Sequence, residues 1–254
     1  MSDRSTTPPD RALVAELAPL GRLRVAINYG NPVLAQRDGG TGQPRGVSVD
    51  LANALAARAR LDVELVTFDA AAKVFEALRG GAWDVAFLAI DPERAQAMSF
   101  TAPYLLIEGT YLVRAKSALR ALDDFDRPGV RIAVGRGAAY DLVLTRTLKH
   151  AKLVRADTSA AAIELFVTGK LDAAAGVRQP LVAYAAVHPG FRVVDESFTS
   201  IRQAMALPRG RERALAYLGS FIEEMTACGF VADALLRSGQ AGAAVARTDR
   251  EPHA

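Results

Sequence analysis

The chain has 254 residues, of which 50% are hydrophobic and 23% are charged. This mix is typical of an ordinary globular protein with one large domain or two smaller ones. The formal net charge is +3 and the basic residues are scattered, so the sequence favours no nucleic-acid partner. The single cysteine, Cys228, excludes an intrachain disulfide. Because no Cys/His cluster has metal-ligand spacing and the three histidines are far apart in sequence, we predict no metal site. We also expect no cofactor.

The sequence also lacks the signals of a membrane or secreted protein. No apolar run approaches the roughly 18 residues that a membrane helix needs. Asp3, Asp10 and Glu16 interrupt any apolar core near the N-terminus, where no secretory pattern stands. We therefore expect no membrane insertion and, from the sequence as written, a cytoplasmic location. We take a monomer as the expected oligomeric state.

The first half of the chain alternates between predicted strands and helices. A polar lead with a short helix over 11–20 comes first, and a polar hairpin-like loop over 36–46 precedes the first long helix. The main elements are strand 23–27, a helix capped by Ser48 or Asp50, strand 63–67, helix 71–78 and strand 85–90. This β-α-β-α-β order calls for a parallel sheet with right-handed crossovers.

The same alternation restarts in the second half, after an extended run at 105–115. The predicted order there is strand 130–134, helix 138–150, strand 153–155, helix 158–168, strand 171–175, helix 179–188, strand 191–194, strand 201–207, and helices 211–226 and 230–237. We predict an α/β fold of two Rossmann-like lobes joined by two hinge strands. The expected boundaries are 22–112 for lobe 1, 113–202 for lobe 2 and 203–240 for the return to lobe 1, with flexible ends at 1–21 and 241–254.

Two strand ends supply the first candidate ligand contacts. The strand at 85–90 breaks at Asp91-Pro92, just before Arg94 on a short helix. A guanidinium grips a carboxylate with two hydrogen bonds, and ligands of open α/β sheets bind at strand ends. Arg94 is therefore a candidate anion anchor, although a solvated helix residue is the simpler alternative. Asn28 and Tyr29 follow the first strand and either face a ligand or form a plain turn.

Six segments of the chain together resemble the family 3 solute-binding proteins, the polar amino-acid type of ABC-transporter receptor. They stand in the family's order and spacing between about 22 and 237, and they read LRVAI, GVSVDLANALAARA, VFEALRGGAWDVAF, DPERAQAMSFTAPY, VRIAVGRGAAYD and TGKLDAAAG. The resemblance implies a type 2 periplasmic-binding fold whose two lobes close on a ligand. It also implies an ABC-transporter permease as partner and a periplasmic location, although the family's secretory signal is absent from the sequence as written.

The resemblance assigns roles to particular positions. In the family, the Arg of the segment that here begins DPER binds the α-carboxylate of the ligand, and that position here is Arg94. The turn that opens the second lobe supplies backbone N–H groups to the same carboxylate. Here that turn includes Gly137, Ala138 and Ala139, at a helix N-terminus where an anion is favoured.

This sequence departs from the family at several of its ligand positions. Ala89 and Phe87 stand where hydroxyl side chains are common, and Asp91 replaces the usual Thr or Ser. Asp91 either holds Arg94 in place or repels a carboxylate. Val177 stands where amino-acid binders carry the Asp that pairs with the α-ammonium, and an unpaired buried ammonium is costly. The ligand hypothesis is therefore a small carboxylate without that cation.

Two further charged residues, Arg178 and Glu108, are candidate ligand contacts. Arg178 either faces the anion or is a surface residue at a helix start, and Glu108 is a candidate substitute partner for a ligand cation. We expect a solute-binding protein for an amino acid or, more strongly favoured, another small organic acid, and not an enzyme.

Three other functions are alternatives to this one. A dehydratase-like enzyme acting on a cyclic carboxylate, with Glu108 or Asp91 as general acid, is the main alternative. A nucleotide-dependent enzyme is disfavoured because Tyr140 replaces the third glycine of the dinucleotide motif. A sensor domain on the same fold would need a partner protein.

Overall fold

In the computed structural model, which describes residues 10–246, strands and helices alternate as predicted. The helices are α1 (Arg11–Leu17), α2 (Val47–Ala59), α3 (Ala71–Ala77), α4 (Ala139–Thr147), α5 (Ser159–Thr168), α6 (Arg178–Val187), α7 (Glu212–Ala227) and α8 (Phe230–Arg237). The strands are β1 (Leu23–Asn28), β2 (Gln36–Arg37), β3 (Pro44–Arg45), β4 (Val63–Phe68), β5 (Val85–Ala89), β6 (Met98–Phe100), β7 (Leu105–Arg114), β8 (Arg131–Gly135), β9 (Lys152–Ala156), β10 (Ala173–Val177), β11 (Phe191–Val193), β12 (Thr199–Pro208) and β13 (Ala244–Val245).

The strands form one long sheet in the order β4-β1-β5-β12-β7-β10-β8-β9. Within each end of this sheet the strands are parallel, as the β-α-β alternation predicts. Between the ends, β12 pairs antiparallel with both β5 and β7, and β7 pairs antiparallel with β10. The two ten-residue strands β7 and β12 therefore join two α/β lobes, which confirms the predicted fold class. The exact lobe boundaries remain a prediction.

Apolar residues place the core between the sheet and its helices. Helix α7 buries Leu218, Phe221 and Ile222 in the same core as Val25 and Ile27 of β1. Burial of each such side chain contributes about 1.5–3 kcal/mol. This packing holds the sheet in place, so the residues at the ends of its strands have fixed positions.

Three details differ from the predictions. Helix α2 begins at Val47 after Gly46, whose φ of 117° suits glycine, so the predicted cap by Ser48 or Asp50 is wrong. Strand β10 extends to Val177 instead of ending at residue 175. Strand β6 was not predicted because three residues give no periodic signal.

The predicted flexible ends lie partly outside residues 10–246. Within the described part, Asp10 caps α1 by accepting a hydrogen bond from the Leu13 N–H at 2.7 Å. At the other end, β13 pairs with Leu105 and Leu106 of β7. Within residues 10–246, every helix is too short or too polar to cross a membrane.

Candidate functional site

A cleft between the two lobes collects the carboxyl ends of the parallel strands. Its empty volume, including the solvent-filled mouth, is about 490 Å³. The cleft is lined by Asn28, Gly30, Asn31, Ala70, Ala71, Leu88, Ala89, Arg94, Gly135, Arg136, Ala138, Ala139, Tyr140, Asp157, Thr158, Ser159, Val177, Ile201 and Gln203. Strand ends of α/β sheets are where ligands bind, so this position fits a small-molecule site.

Arg94 is the buried cation of the cleft. Only 2% of its surface is exposed. It donates from Nη1 to the Ala89 carbonyl at 3.1 Å and from Nη2 to the Gly137 carbonyl at 2.8 Å. Gly137 belongs to the second lobe, so Arg94 bridges the cleft. Among the described residues, no carboxylate forms a salt bridge with Arg94.

Desolvation decides the electrostatics of Arg94. Burial lowers its pKa to about 10, against the opposing charges of Asp91 and Glu93. The guanidinium is still a cation at neutral pH, because that pKa lies well above 7. A buried cation held only by carbonyl oxygens is an unfavourable arrangement that an anion would relieve.

Asp91 is occupied by other partners. It is 3% exposed. Its Oδ1 accepts the Glu93 N–H at 2.9 Å, and its Oδ2 pairs with Arg146 Nη2 of helix α4 at 2.8 Å. This ion pair joins the two lobes, and Asp91 does not line the cleft.

The turn from β8 into α4 presents both a carbonyl and free N–H groups. Gly137 has a φ of 65° and donates its N–H to Asp141 Oδ2 at 2.8 Å, which leaves its carbonyl facing Arg94. Buried Asp141 is held in turn by Arg155 Nε at 3.0 Å. Within the described chain, the N–H groups of Ala139 and Tyr140 have no acceptor, so the start of α4 can donate to an anion.

Val177 lines the cleft, whereas Arg178 and Glu108 do not. Arg178 pairs with Glu108, and it also donates to Ser197 Oγ at 2.8 Å and to the Asp195 carbonyl at 2.7 Å. Hydrogen bonds from Ser197 and Arg178 lower the pKa of the Glu108 carboxyl. Arg178 and Glu108, two of the predicted site residues, therefore pair with each other outside the cleft.

The remaining predicted residues divide between the cleft and its support. Asn28, Ala89, Ala138 and Ala139 line it. The other three do not: Gly137 contacts Arg94, Phe87 packs edge-on against Tyr104, and the guanidinium of Arg37 lies 4.3 Å above the ring of Tyr29.

The sequence reasoning missed several residues of the cleft wall. Ala70 follows β4, and residues 157–159 follow β9, so the strand-end rule that selected Asn28 would also have found them. Gln203 stands alone as a polar residue in the buried run QAMAL of β12, a pattern that marks a polar side chain held inside the protein.

Within residues 10–246, no three His, Cys, Asp or Glu side chains are grouped so that they could hold a metal ion. The residues that line the cleft offer hydrogen-bonding groups and charge. The arrangement is suited to bind an anion with Arg94 from one lobe and the start of α4 from the other.

Solved structures of other proteins share this fold. One solved structure, of the ancestral amino acid-binding protein AncCDT-1, a precursor of cyclohexadienyl dehydratase, is 27% identical with a TM-score of 0.73, over 88% of this chain and 97% of that chain. A mutant of ArgBP from T. maritima is 23% identical with a TM-score of 0.75, over 89% and 97%. The solute receptor for L-cysteine of Neisseria gonorrhoeae is 22% identical with a TM-score of 0.77, over 89% and 92%.

A search of curated proteins finds no match. The family model of the bacterial extracellular solute-binding proteins, family 3, matches residues 23–236. These residues span both lobes and the two strands that join them. The chain therefore belongs to the family 3 bacterial extracellular solute-binding proteins.

Proposed function

We propose that this protein captures a small carboxylate-bearing ligand by closing its two lobes over the cleft. The observation that carries the proposal is Arg94, a buried guanidinium on the cleft wall that pairs with no carboxylate of the described chain. A carboxylate ligand would supply the missing anion. The free N–H groups at the start of α4 would bind its second oxygen from the other lobe.

The polarity of the cleft favours an organic acid without an ammonium group. Val177 occupies the position where the resemblance expects an acidic partner for that cation. Among residues 10–246, Asp157 is the only acidic residue on the cleft wall, and its side chain is 87% exposed and lies beside Arg136. Several structural neighbours are described as binding arginine, cysteine or lysine, so an amino acid is the alternative ligand class.

Closure would carry the signal of binding. Contacts already cross the cleft from Arg94 to Gly137 and from Asp91 to Arg146. A ligand that contacts both lobes would stabilise this closed arrangement further, and a partner protein can recognise it. By the resemblance, the partner is the permease of an ABC transporter.

The test is thermal unfolding of the wild type with matched ligand pairs. Each small carboxylate is compared with its own methyl ester, which keeps the skeleton and removes the charge. A carboxylate at a hundred times its Kd should stabilise the protein by about 2.7 kcal/mol, or about 5–10 °C. The ester should give no shift. Equal shifts from acid and ester, or none from any acid, would contradict the proposal.

A dehydratase-like enzyme on the same fold is the second candidate, because AncCDT-1 is described as a dehydratase precursor. It would need a protonated carboxyl near the ligand. Glu108 has a lowered pKa, Asp91 is ion-paired, and neither lines the cleft. These contacts favour binding over catalysis. Appearance of product during incubation with a cyclic carboxylate such as prephenate would reverse that preference.

A further inference from the structure

The one hydrogen-bonding atom of the cleft wall that is buried and unused belongs to Gln203. In residues 10–246, seven buried side-chain nitrogen or oxygen atoms have no hydrogen-bond partner, and of these only Gln203 Oε1 belongs to a residue that lines the cleft. Gln203 is 4% exposed. Native proteins rarely leave a buried amide oxygen unpaired, because its desolvation is then uncompensated.

The backbone holds Gln203 firmly at the base of the cleft. It lies where the pairing of β12 passes from β7 to β5, with Leu105 and Ala89 as its register partners. Its carbonyl also accepts the Tyr104 N–H at 2.9 Å. The unpaired amide is therefore part of the rigid hinge region rather than of a loose surface loop, as a residue that discriminates between ligands must be.

A second carboxamide shares this wall. The Oδ1 of Asn28 accepts the Gly30 N–H at 2.9 Å, which fixes the orientation of its side chain and leaves Nδ2 as a donor. Asn28 is buried and stands at the end of β1. The inner wall thus offers an acceptor and a donor, both neutral, beside the buried cation of Arg94.

We propose that Gln203 determines ligand specificity by accepting a hydrogen bond from a hydroxyl group of the ligand. The ligand class is then a small hydroxy acid, with its carboxylate at Arg94 and its hydroxyl at Gln203 Oε1. Asn28 Nδ2 is placed on the same wall to donate to the hydroxyl oxygen. This inference rests on the proposed capture of a carboxylate and names the substrate class of that same cleft.

The neutral carboxamides also disfavour an amino acid as the ligand. A ligand ammonium would be buried against an amide oxygen with no carboxylate to balance its charge, which is unfavourable. A keto acid offers only an acceptor and would leave Gln203 Oε1 unpaired. A hydroxyl both donates and accepts, so it satisfies the two carboxamides together.

Calorimetric titration with two matched ligand series tests this directly. The first series is lactate, pyruvate, propanoate and alanine, and the second is their phenyl counterparts phenyllactate, phenylpyruvate, phenylpropanoate and phenylalanine. Within a series only one functional group changes. The wild type should bind the hydroxy acid of at least one series about tenfold or more tighter than the other three members.

Two variants connect that preference to Gln203. Gln203→Leu removes the amide at similar volume, and it should fold because it replaces an unpaired polar group by an apolar one. It should reduce the preference for the hydroxy acid over the plain acid to within about threefold. Gln203→Glu places a carboxylate on the wall and should shift the preference toward the amino acid by about tenfold or more.

Each outcome separates this inference from the proposed function. If the wild type prefers the amino acid or keto acid, or if Gln203→Leu keeps the full hydroxyl preference, the hydroxy-acid assignment is overturned while carboxylate capture stands. If the four members bind equally well, Gln203 is overturned as the specificity residue. If no carboxylate of this or any wider panel binds, the proposed function fails and the inference fails with it.

Discussion

Arg94 and Arg178 are both arginines that the sequence places near the anion, and the structure gives them opposite surroundings. Arg94 is almost fully buried on the cleft wall and donates only to two backbone carbonyls. Arg178 lies outside the cleft, where Glu108, Ser197 and nearby carbonyls occupy its donors. Whether a guanidinium can bind a ligand anion therefore depends on which acceptors already occupy its N–H groups.

Asp141 supports the position of Arg94 from the second lobe, so its removal should have the largest effect on stability. Asp141→Ala takes away a buried carboxylate that holds the Gly137 N–H and Arg155. We expect a loss of about 2 kcal/mol in the free energy of unfolding, because the Gly137 N–H loses its acceptor and the partly exposed Arg155 loses its counter-charge. Carboxylate affinity should also fall, since Gly137 would no longer be oriented toward Arg94.

Chemical denaturation measures this loss, and Asp157→Ala is the matched control. Asp157 also pairs with an arginine, but its side chain is mostly exposed. The control should change the free energy of unfolding by well under about 1 kcal/mol. Equal losses in both variants would contradict the role given to Asp141.

Removing the partner of Asp91 should let this carboxylate pair with Arg94, as Glu108 pairs with Arg178. In Arg146→Gln, Asp91 loses the cation that pairs with it at 2.8 Å across the cleft. Its freed carboxylate would then compete with a ligand for Arg94, and one contact that closes the lobes would be lost. We expect roughly tenfold weaker carboxylate binding by calorimetry, equivalent to about 1.4 kcal/mol. Arg146→Lys keeps the charge and should bind within a few-fold of wild type; unchanged affinity in the Gln variant would argue against this competition.

Removing the partner of Arg178 should have the smallest effect. In Glu108→Gln the ion pair is lost, but Glu108 is half exposed, so we expect under about 1 kcal/mol of destabilisation and no change in ligand affinity. Because its pKa is lowered in the folded protein, the Glu108 carboxylate stabilises the fold above the ordinary glutamate pKa near 4.3. That contribution is lost as pH falls through the lowered folded pKa.

Thermal unfolding from pH 7 to pH 3 checks the sign of this dependence. The difference in Tm between the wild type and Glu108→Gln should be present at neutral pH and should shrink toward the acid end. A difference that grows toward low pH would contradict the assignment, as would any loss of carboxylate affinity at neutral pH.

The sequence was sufficient to predict the fold and to select Arg94 as the candidate anchor. Apolar runs located the strands, their alternation with helices predicted parallel pairing, and the break at Asp91-Pro92 pointed to Arg94. Each of these signals is local, so neighbouring residues determine it. The β7 and β12 crossings were also predicted, because both strands are extended runs outside the alternation.

The partners of the site could not be predicted in the same way. Each contact joins residues that are far apart in sequence and are brought together only by the packing of the chain. The contacts are the hydrogen bond from Arg94 to Gly137 and the salt bridges Asp91–Arg146 and Glu108–Arg178. The apolar run around Gln203 indicates a buried side chain, but nothing local shows that its amide oxygen is left unpaired. Pairing is a property of the tertiary structure, and pairing decides which charged and polar groups are free for a ligand.

The most direct test compares Arg94→Gln with Arg178→Gln in two measurements, calorimetric titration with the best-bound carboxylate and thermal unfolding without ligand. Arg94→Gln should weaken binding by about a hundredfold or more, since it removes a charge-assisted bidentate contact. Its Tm should stay unchanged or rise, because the desolvation cost of a buried guanidinium is removed. Arg178→Gln should lower Tm by a few degrees and leave affinity within about threefold of wild type. If Arg94→Gln keeps its affinity, or if both variants lose affinity equally, Arg94 is not the anion anchor.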